Sequence, residues 1–193
     1  GASGLGAATA RMALDAGARV VVADLAAPQP GTFDARHADR LVVVSTNVVD
    51  EASGQAAVDA AVQRFGRLDV LVNAAGIGPA EKIHGKNGPH RLDSFTKTIQ
   101  VNLIGTFNMM RLAVPAMINS GAPGSSSDAT ASQGVIINTA SVAAFDGQIG
   151  QAAYSASKGG VVAMTLPAAR ELARDRIRVL TIAPGIFETP MLL

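Results

Sequence analysis

Cysteine and tryptophan are absent from this chain, and tyrosine occurs once. Without cysteine there is no disulfide framework and no thiolate metal site. Aromatic residues are also scarce: they make up 4% of 193 residues, although 48% are hydrophobic, so Ala, Val, Ile and Leu must build the interior. That balance suits an α/β protein whose small-residue helices pack on a parallel sheet. Charge of one sign is not in excess either, since 16 basic and 15 acidic residues leave a formal net charge of +1. With no basic block, neither nucleic-acid binding nor adhesion to anionic membranes has electrostatic support. The apolar runs read as too short to cross a bilayer, so no membrane contact is expected. The histidines, His37, His84 and His90, form no metal-ligand pattern with the acidic residues, and no metal is expected.

The length suits one compact domain, read over residues 1–193. Gly1 opens directly into a glycine-rich turn with no strand before it, and Met191-Leu192-Leu193 ends in apolar sequence without a terminating signal. The expectation is therefore a segment of a longer protein, cut at both ends. No leader peptide is visible, which sets a cytoplasmic location as the expectation.

What is present alternates. Strand-like runs occupy residues 18–24 (ARVVVAD), 41–44, 69–75 (DVLVNAA), 134–139 (GVIINT) and 178–183 (RVLTIA). Their β-branched, nearly continuous apolar character is what strands covered on both faces require. Helical spacing appears between them. Residues 6–16 place Thr9, Met12, Ala13 and Ala16 on one face before a capping Gly17. Val58, Ala61, Val62 and Phe65 repeat the pattern before Gly66. Residues 92–117 read as one long amphipathic helix bent or ended at Pro115, and residues 152–173 as another kinked at Pro167. Residues 121–134 (GAPGSSSDATASQG) read as a flexible surface loop, and no solenoid repeat is found. The fold class expected is a Rossmann-type, doubly wound parallel sheet with helices on both faces.

Three features carry chemistry. Gly1-Ala2-Ser3-Gly4-Leu5-Gly6 precedes the first helix, where glycines let the main chain approach a pyrophosphate and the helix N-terminus offers free N–H groups. The same turn also serves plain strand-to-helix connections. Asp24 ends the next strand, near the spacing at which a carboxylate meets an adenine ribose. A carboxylate there repels a 2′-phosphate and Leu25 offers no cation, so NAD is expected rather than NADP. Finally, Tyr154 and Lys158 stand four residues apart on one helical face. A nearby ammonium favours the phenolate, which can take a hydroxyl proton while hydride leaves a carbinol carbon. Ser141 follows the strand GVIINT, at the carboxyl edge where open α/β sheets bind ligands. Its hydroxyl suits a developing oxyanion, and equally a turn cap.

Together, GASGLG, Asp24, Asn73-Ala74-Ala75-Gly76, Asn102, Ser141, Tyr154/Lys158 and Pro184-Gly185 resemble the short-chain dehydrogenase/reductase family, in that family's order and across the whole chain. The stretches GVIINTASVAAFDGQIGQAAYSASKGG, MTLPAARELA and LTIAPGIFETPML resemble its type-2 3-hydroxyacyl-CoA dehydrogenases more narrowly, with Pro167 part of the likeness. The resemblance implies an NAD-dependent enzyme that oxidises the 3-hydroxyl of 3-hydroxyacyl-CoA to 3-oxoacyl-CoA, with the same chemistry on a hydroxysteroid as the alternative. It implies catalytic Tyr154, Lys158, Ser141 and Asn102, the last holding a helix distortion and a water that relays protons from Lys158. It implies NAD contacts at Ser3, Gly4, Leu5, Gly6, Asp24, Asn47, Val48, Ala74, Gly76, Tyr154, Lys158, Phe187 and Thr189. It also implies a homotetramer built on the two long helices. Lys82, His84, Lys86, His90 and Arg91 stand where CoA phosphates would be met, or form a solvated basic loop. One departure is Asn47, where the family usually carries aspartate.

Two other classes fit the sequence less well. A cofactor-sensing Rossmann regulator has no use for a competent Tyr/Lys pair. A hydrolase built on Ser141 lacks both a G-x-S-x-G elbow and a histidine nearby in sequence.

Overall fold

The computed structural model describes residues 1–121 and 132–189; most of the loop expected at residues 121–134 lies outside them. The elements run α1 (Gly4–Asp15), β1 (Val20–Asp24), a 3-10 turn (Ala35–His37), β2 (Leu41–Ser45), α2 (Glu51–Phe65), β3 (Val70–Asn73), a small hairpin β4 (His84–Gly85) and β5 (Gly88–Pro89), α3 (Leu92–Ile99), a π-helical turn (Gln100–Ile104), α4 (Gly105–Ser120), β6 (Gly134–Thr139), α5 (Ala152–Leu172) and β7 (Ile177–Ile182).

All five long strands pair in parallel, as β-branched runs separated by helices require. β1 pairs with β2, and β6 lies between β3 and β7; no ladder joins the two groups among the described residues. The glycine turn sits where the groups meet. A side-chain carbon on Gly1 would stand 3.1 Å from Val22 of β1, and one on Gly6 would stand 3.4 Å from Ala74 just past β3.

Helices cover both faces of the sheet. Val22 packs in a small cluster with Ala2 and Ala10, whereas its neighbour Ala23 packs against the main core. Successive strand residues point to opposite faces, so α1 lies on one side and the main core on the other. That core joins Ala57 and Val58 of α2, Met109, Ala113 and Met117 of α4, Ile136 of β6, and Ile177 and Val179 of β7. With aromatics scarce, flexible methionines fill its irregular gaps. Gly54 allows α2 to approach α4: a side-chain carbon there would lie 2.9 Å from Leu112.

Four expectations need correction. The buried face of α1 is Ala7, Ala10 and Leu14, and Met12 is exposed; a helix so rich in alanine gives little periodic contrast. β7 is covered on one face only, with Leu180 and Ile182 about half exposed on the face turned away from the main core. Pro115 does not end its helix, since α4 continues to Ser120; α5 likewise runs through Pro167, the expected kink position, to Leu172. Both prolines are on exposed faces, where water can take the carbonyl that each deprives of a donor. The long helix is broken instead at the π-turn, far from Pro115. By length and composition Leu92–Ser120 could cross a membrane. Half of its apolar window is nevertheless buried, with Met109, Ala113 and Met117 in the core, and its buried polar residues join the network described below.

The caps were legible. Gly17 at φ 91° donates to Leu14 O, and Ala18 to Ala13 O, which closes a Schellman motif. Gly66 ends α2 at φ 79° in the same left-handed region.

Candidate active site

The site is built at the carboxyl ends of the strands, and its two regions differ in character. The first surrounds the glycine turn. Ser3 caps α1 in an extended conformation, but its side chain makes no capping hydrogen bond. The first helical bond is donated by Ala7 N to Ser3 O at 3.0 Å, so the amides of α1's first turn remain unspent. They face a cleft of about 480 Å³ lined by Ser3, Gly4 and Leu5 on one side and by Phe187, Glu188 and Thr189 on another. Arg11, Gln29 and Thr32 complete its walls; the sequence reading missed these, since each is an ordinary surface residue in its own segment.

Asp24 stands beside this turn. One carboxylate oxygen accepts from Gly1 N at 2.6 Å and from Ala2 N at 2.8 Å; the other accepts from Ala26 N at 3.2 Å. Partial burial disfavours the charge, but these donors outweigh it and hold the carboxyl below the usual carboxylate range. Asn47 and Val48 lie on the same edge, because Asp24 O accepts from Thr46 N at 2.7 Å as the β1–β2 ladder ends. Ser53 Oγ accepts from Asn47 N at 2.9 Å, and Asn108 of α4 donates to Val48 O at 2.8 Å. Asn108, buried six residues after Asn102, thus holds the segment that carries both. A carboxylate, an edge of backbone groups and a cradle of free amides fit the adenosine and pyrophosphate of a dinucleotide. The contact at Gly6 explains the turn's composition: a side-chain carbon there would lie 3.0 Å from Gly1 Cα and 3.4 Å from Ala74.

The second region surrounds Tyr154 and is densely bonded. Lys158 is 4% exposed, donates to Thr139 O at 2.6 Å, and places its ammonium 5.7 Å from the Tyr154 ring centroid. Burial lowers its pKa from 10.5 to about 8. Ser141 begins a 3-10 turn as its cap, with Oγ accepting from Ala143 N at 3.1 Å. The hydroxyl proton is left to be donated elsewhere, so the capping and oxyanion readings of Ser141 are compatible. Val142 N donates to Pro184 O at 3.0 Å, which ties this turn to the segment leading to Phe187 and Thr189. Among the described residues no histidine bonds to Ser141. His37 faces Asp15 and Arg40, and His90 faces Arg91 O.

Asn102 lies fully buried in the π-turn, where the resemblance placed a helix distortion. Its Oδ1 accepts from Ile77 N at 2.8 Å, and its Nδ2 donates to Ile77 O at 2.8 Å and to Ser157 Oγ at 3.0 Å. Gly76 immediately precedes this clamp. Asn73 and Asn138, paired across β3 and β6 at 2.9 Å, support the same edge from inside the sheet. Ser157, Asn108 and the Thr139 carbonyl escaped the sequence reading. A backbone acceptor leaves no side-chain signal, and a buried Ser or Asn on a helix looks like any other.

Beyond Tyr154 a second cleft, of about 600 Å³, opens between the 143–152 segment and the hairpin region, lined among others by Lys82, Ile83, His84, Phe145, Ile149 and Ser155. Glu81 N donates to Gly150 O at 2.9 Å and fastens the two walls. Of the five basic residues in this segment, Lys82 and His84 line the cleft. Arg91 instead gives its amide to Glu81 Oε1 at 2.6 Å, with its guanidinium 3.6 Å away, and the His90 ring lies 3.9 Å from the same carboxylate. Lys86 is in the hairpin turn and does not line the cleft.

A parallel sheet with a glycine turn at its switch point, an acidic residue ending the next strand and a Tyr/Lys pair beside a serine define a dinucleotide-linked oxidoreductase. The family model described as short chain dehydrogenase matches residues 1–193, and the chain belongs to that family. The 3-hydroxyacyl-CoA dehydrogenase type-2 of Drosophila melanogaster is 50% identical over 194 residues, covering 100% of this chain and 74% of that protein. The crystal structure of 3-hydroxyacyl-CoA dehydrogenase type-2 from Mycobacterium avium superposes with a TM-score of 0.87 at 42% identity, over 99% of this chain and 74% of the other. The 3-ketoacyl-(acyl-carrier-protein) reductase from Brucella melitensis, complexed with NADH, gives a TM-score of 0.83 at 34% identity over 99% and 75% of the two chains.

Proposed function

We propose that this chain is an NAD-dependent dehydrogenase that interconverts 3-hydroxyacyl-CoA and 3-oxoacyl-CoA. The observation that carries the chemistry is the buried Lys158 fixed by Thr139 O over the face of Tyr154. Half-identical relatives that bear the name of this reaction support the substrate. Ser3, Gly4, Leu5 and Gly6 would hold the pyrophosphate with backbone amides, and Asp24 the adenine ribose. Asn47, Val48 and Ala74 would border the adenosine, with Gly76 beyond them, while Phe187 and Thr189 would cover the nicotinamide end. Bound there, NAD supplies the hydride acceptor.

The chain's own residues handle the proton. Ser141 donates a hydrogen bond to the substrate hydroxyl and keeps it facing Tyr154. Tyr154 Oη, as phenolate, takes the hydroxyl proton while the carbinol carbon gives up its hydride. Lys158 stands buried against the Tyr154 ring, and Asn102 holds the π-turn against the Tyr154 helix. The 600 Å³ cleft suits a thioester: Phe145, Ile149 and Ile83 offer apolar surface to an acyl chain, and Lys82 and His84 are placed to meet a phosphate. A homotetramer fits the same reading, since α4 and α5 present half-exposed Phe107 and Leu166 for helix packing between copies.

The test is a substrate panel on the full-length protein, following NADH absorbance. Turnover of 3-hydroxybutyryl-CoA, at least tenfold more efficient than that of a hydroxysteroid or an acyl-carrier-protein thioester, supports the assignment. Preference for either of the others overturns it.

A further inference from the structure

We infer that Ser157 is a positioning residue for proton transfer: through its hydroxyl, the π-turn at Asn102 fixes the first turn of α5 and hence Tyr154. This assignment rests on Tyr154 as the proton acceptor.

Ser157 is fully buried, on the residue before Lys158. Its hydroxyl makes two bonds at once, accepting from Asn102 Nδ2 at 3.0 Å and donating to Tyr154 O at 2.7 Å. A hydroxyl holds one proton, so these bonds are mutually orienting: with the proton committed to Tyr154 O, its lone pairs face the Asn102 amide. The amide is committed in turn. Both Nδ2 protons are used, on Ile77 O and Ser157 Oγ, and Oδ1 takes Ile77 N. Neither side chain can rotate without leaving a buried polar atom unpaired.

The chain of bonds therefore links three separate elements: the segment after β3, the π-turn, and the helix that carries Tyr154 and Lys158. Packing reinforces the link at the next turn, where Gly160 admits Leu103 so closely that a side-chain carbon would lie 2.7 Å from it. On its far side the same helix is fixed by Lys158 on Thr139 O. Tyr154 thus sits one turn ahead of two adjacent anchors, and Ser157 is the one that acts through Asn102. Ser157 is fully buried and both of its bonds are internal, so its loss acts on the placement of Tyr154 and not on ligand contact.

The test compares Ser157→Ala, Ser157→Thr, Asn102→Ala, the double variant Ser157→Ala/Asn102→Ala, and Tyr154→Phe in the full-length protein, with circular dichroism confirming that each is folded. Expected for Ser157→Ala is a kcat about tenfold lower with KM for NAD unchanged, and recovery of most of the loss in Ser157→Thr, which restores the hydroxyl. In the double variant kcat should equal that of Asn102→Ala, because Ser157 acts through that amide. Unchanged kcat in Ser157→Ala, or losses that multiply in the double variant, overturns the assignment. If Tyr154→Phe keeps its activity, the reading of the site itself falls, an outcome distinct from the failure of Ser157 alone.

Discussion

The glycine-turn region and the Tyr154 region are built on opposite principles. Around the turn, polar groups are left unspent: first-turn amides without partners, a capping serine that caps nothing, and an open cleft. Around Tyr154 nearly every polar group is committed, with Asn102, Ser157 and Lys158 each buried and bonded. A region that binds a mobile dinucleotide keeps donors for it. A region that must hold one phenol in one place spends them internally, which is the physical content of preorganisation. The two should therefore fail in different ways.

The sharpest failure is expected at Tyr154. Tyr154→Phe removes the proton acceptor and should lower kcat by about 10²-fold or more, with NAD affinity retained. Steady-state NADH formation beside a binding titration checks both halves of that statement.

Gly147→Ala should come next. A side-chain carbon there would overlap Ser155 Oγ and crowd Ala143 O, pushing the cleft wall off the Tyr154 helix. The expected result is a fall in kcat/KM for substrate of about tenfold, without change in the KM for NAD.

Asp24→Ala should show the reverse split. Removing a charged acceptor of three hydrogen bonds should raise the KM for NAD about tenfold or more and narrow its advantage over NADP, with kcat at saturation nearly kept.

Lys158 allows a stability test in the cofactor-free protein. Its folded pKa of about 8 lies below the unfolded value, so the unfolded chain binds the proton more tightly between the two. This burial cost is therefore fully present below pH 8 and is relieved as pH rises from about 8 to 10.5. The shift corresponds to about 3 kcal/mol. Lys158→Met should thus be more stable than the parent at pH 7 in denaturant melts, by less than that amount because the bond to Thr139 O is lost, while being inactive. The smallest effect is expected at Glu51, whose exposed pair with Arg111 spans 2.8 Å; Glu51→Gln should cost under about 1 kcal/mol in the same melts and leave activity intact.

Much of this was legible in residue order. Parallel strands follow from β-branched runs, helix ends from Gly17 and Gly66, and the Tyr154/Lys158 pair from its spacing. The π-turn was not legible from residue type, since Gln100 to Ile104 reads as ordinary helix; only the family likeness put a distortion at Asn102. Pro115 drew the expected bend or end because proline is visible in sequence, and the solvent that tolerates it on an exposed face is not. The hairpin at His84 to Pro89 was not legible, because its two-residue strands carry no β-branched run and its turn is Lys86-Asn87. Bonds made by main chain, such as Thr139 O to Lys158 or Glu81 N to Gly150 O, depend on which segments meet, and no local pattern announces them.

The most direct test of the separation between the two regions is one titration run three ways. NAD is added to the wild-type protein, Tyr154→Phe and Asp24→Ala, with cofactor affinity and NADH formation from 3-hydroxybutyryl-CoA measured on the same samples. The account predicts that Tyr154→Phe binds NAD within about twofold of wild type and forms almost no NADH, while Asp24→Ala binds poorly yet turns over near the wild-type rate once saturated. If both variants lose affinity and turnover together, the two regions do not divide the work and the account is wrong.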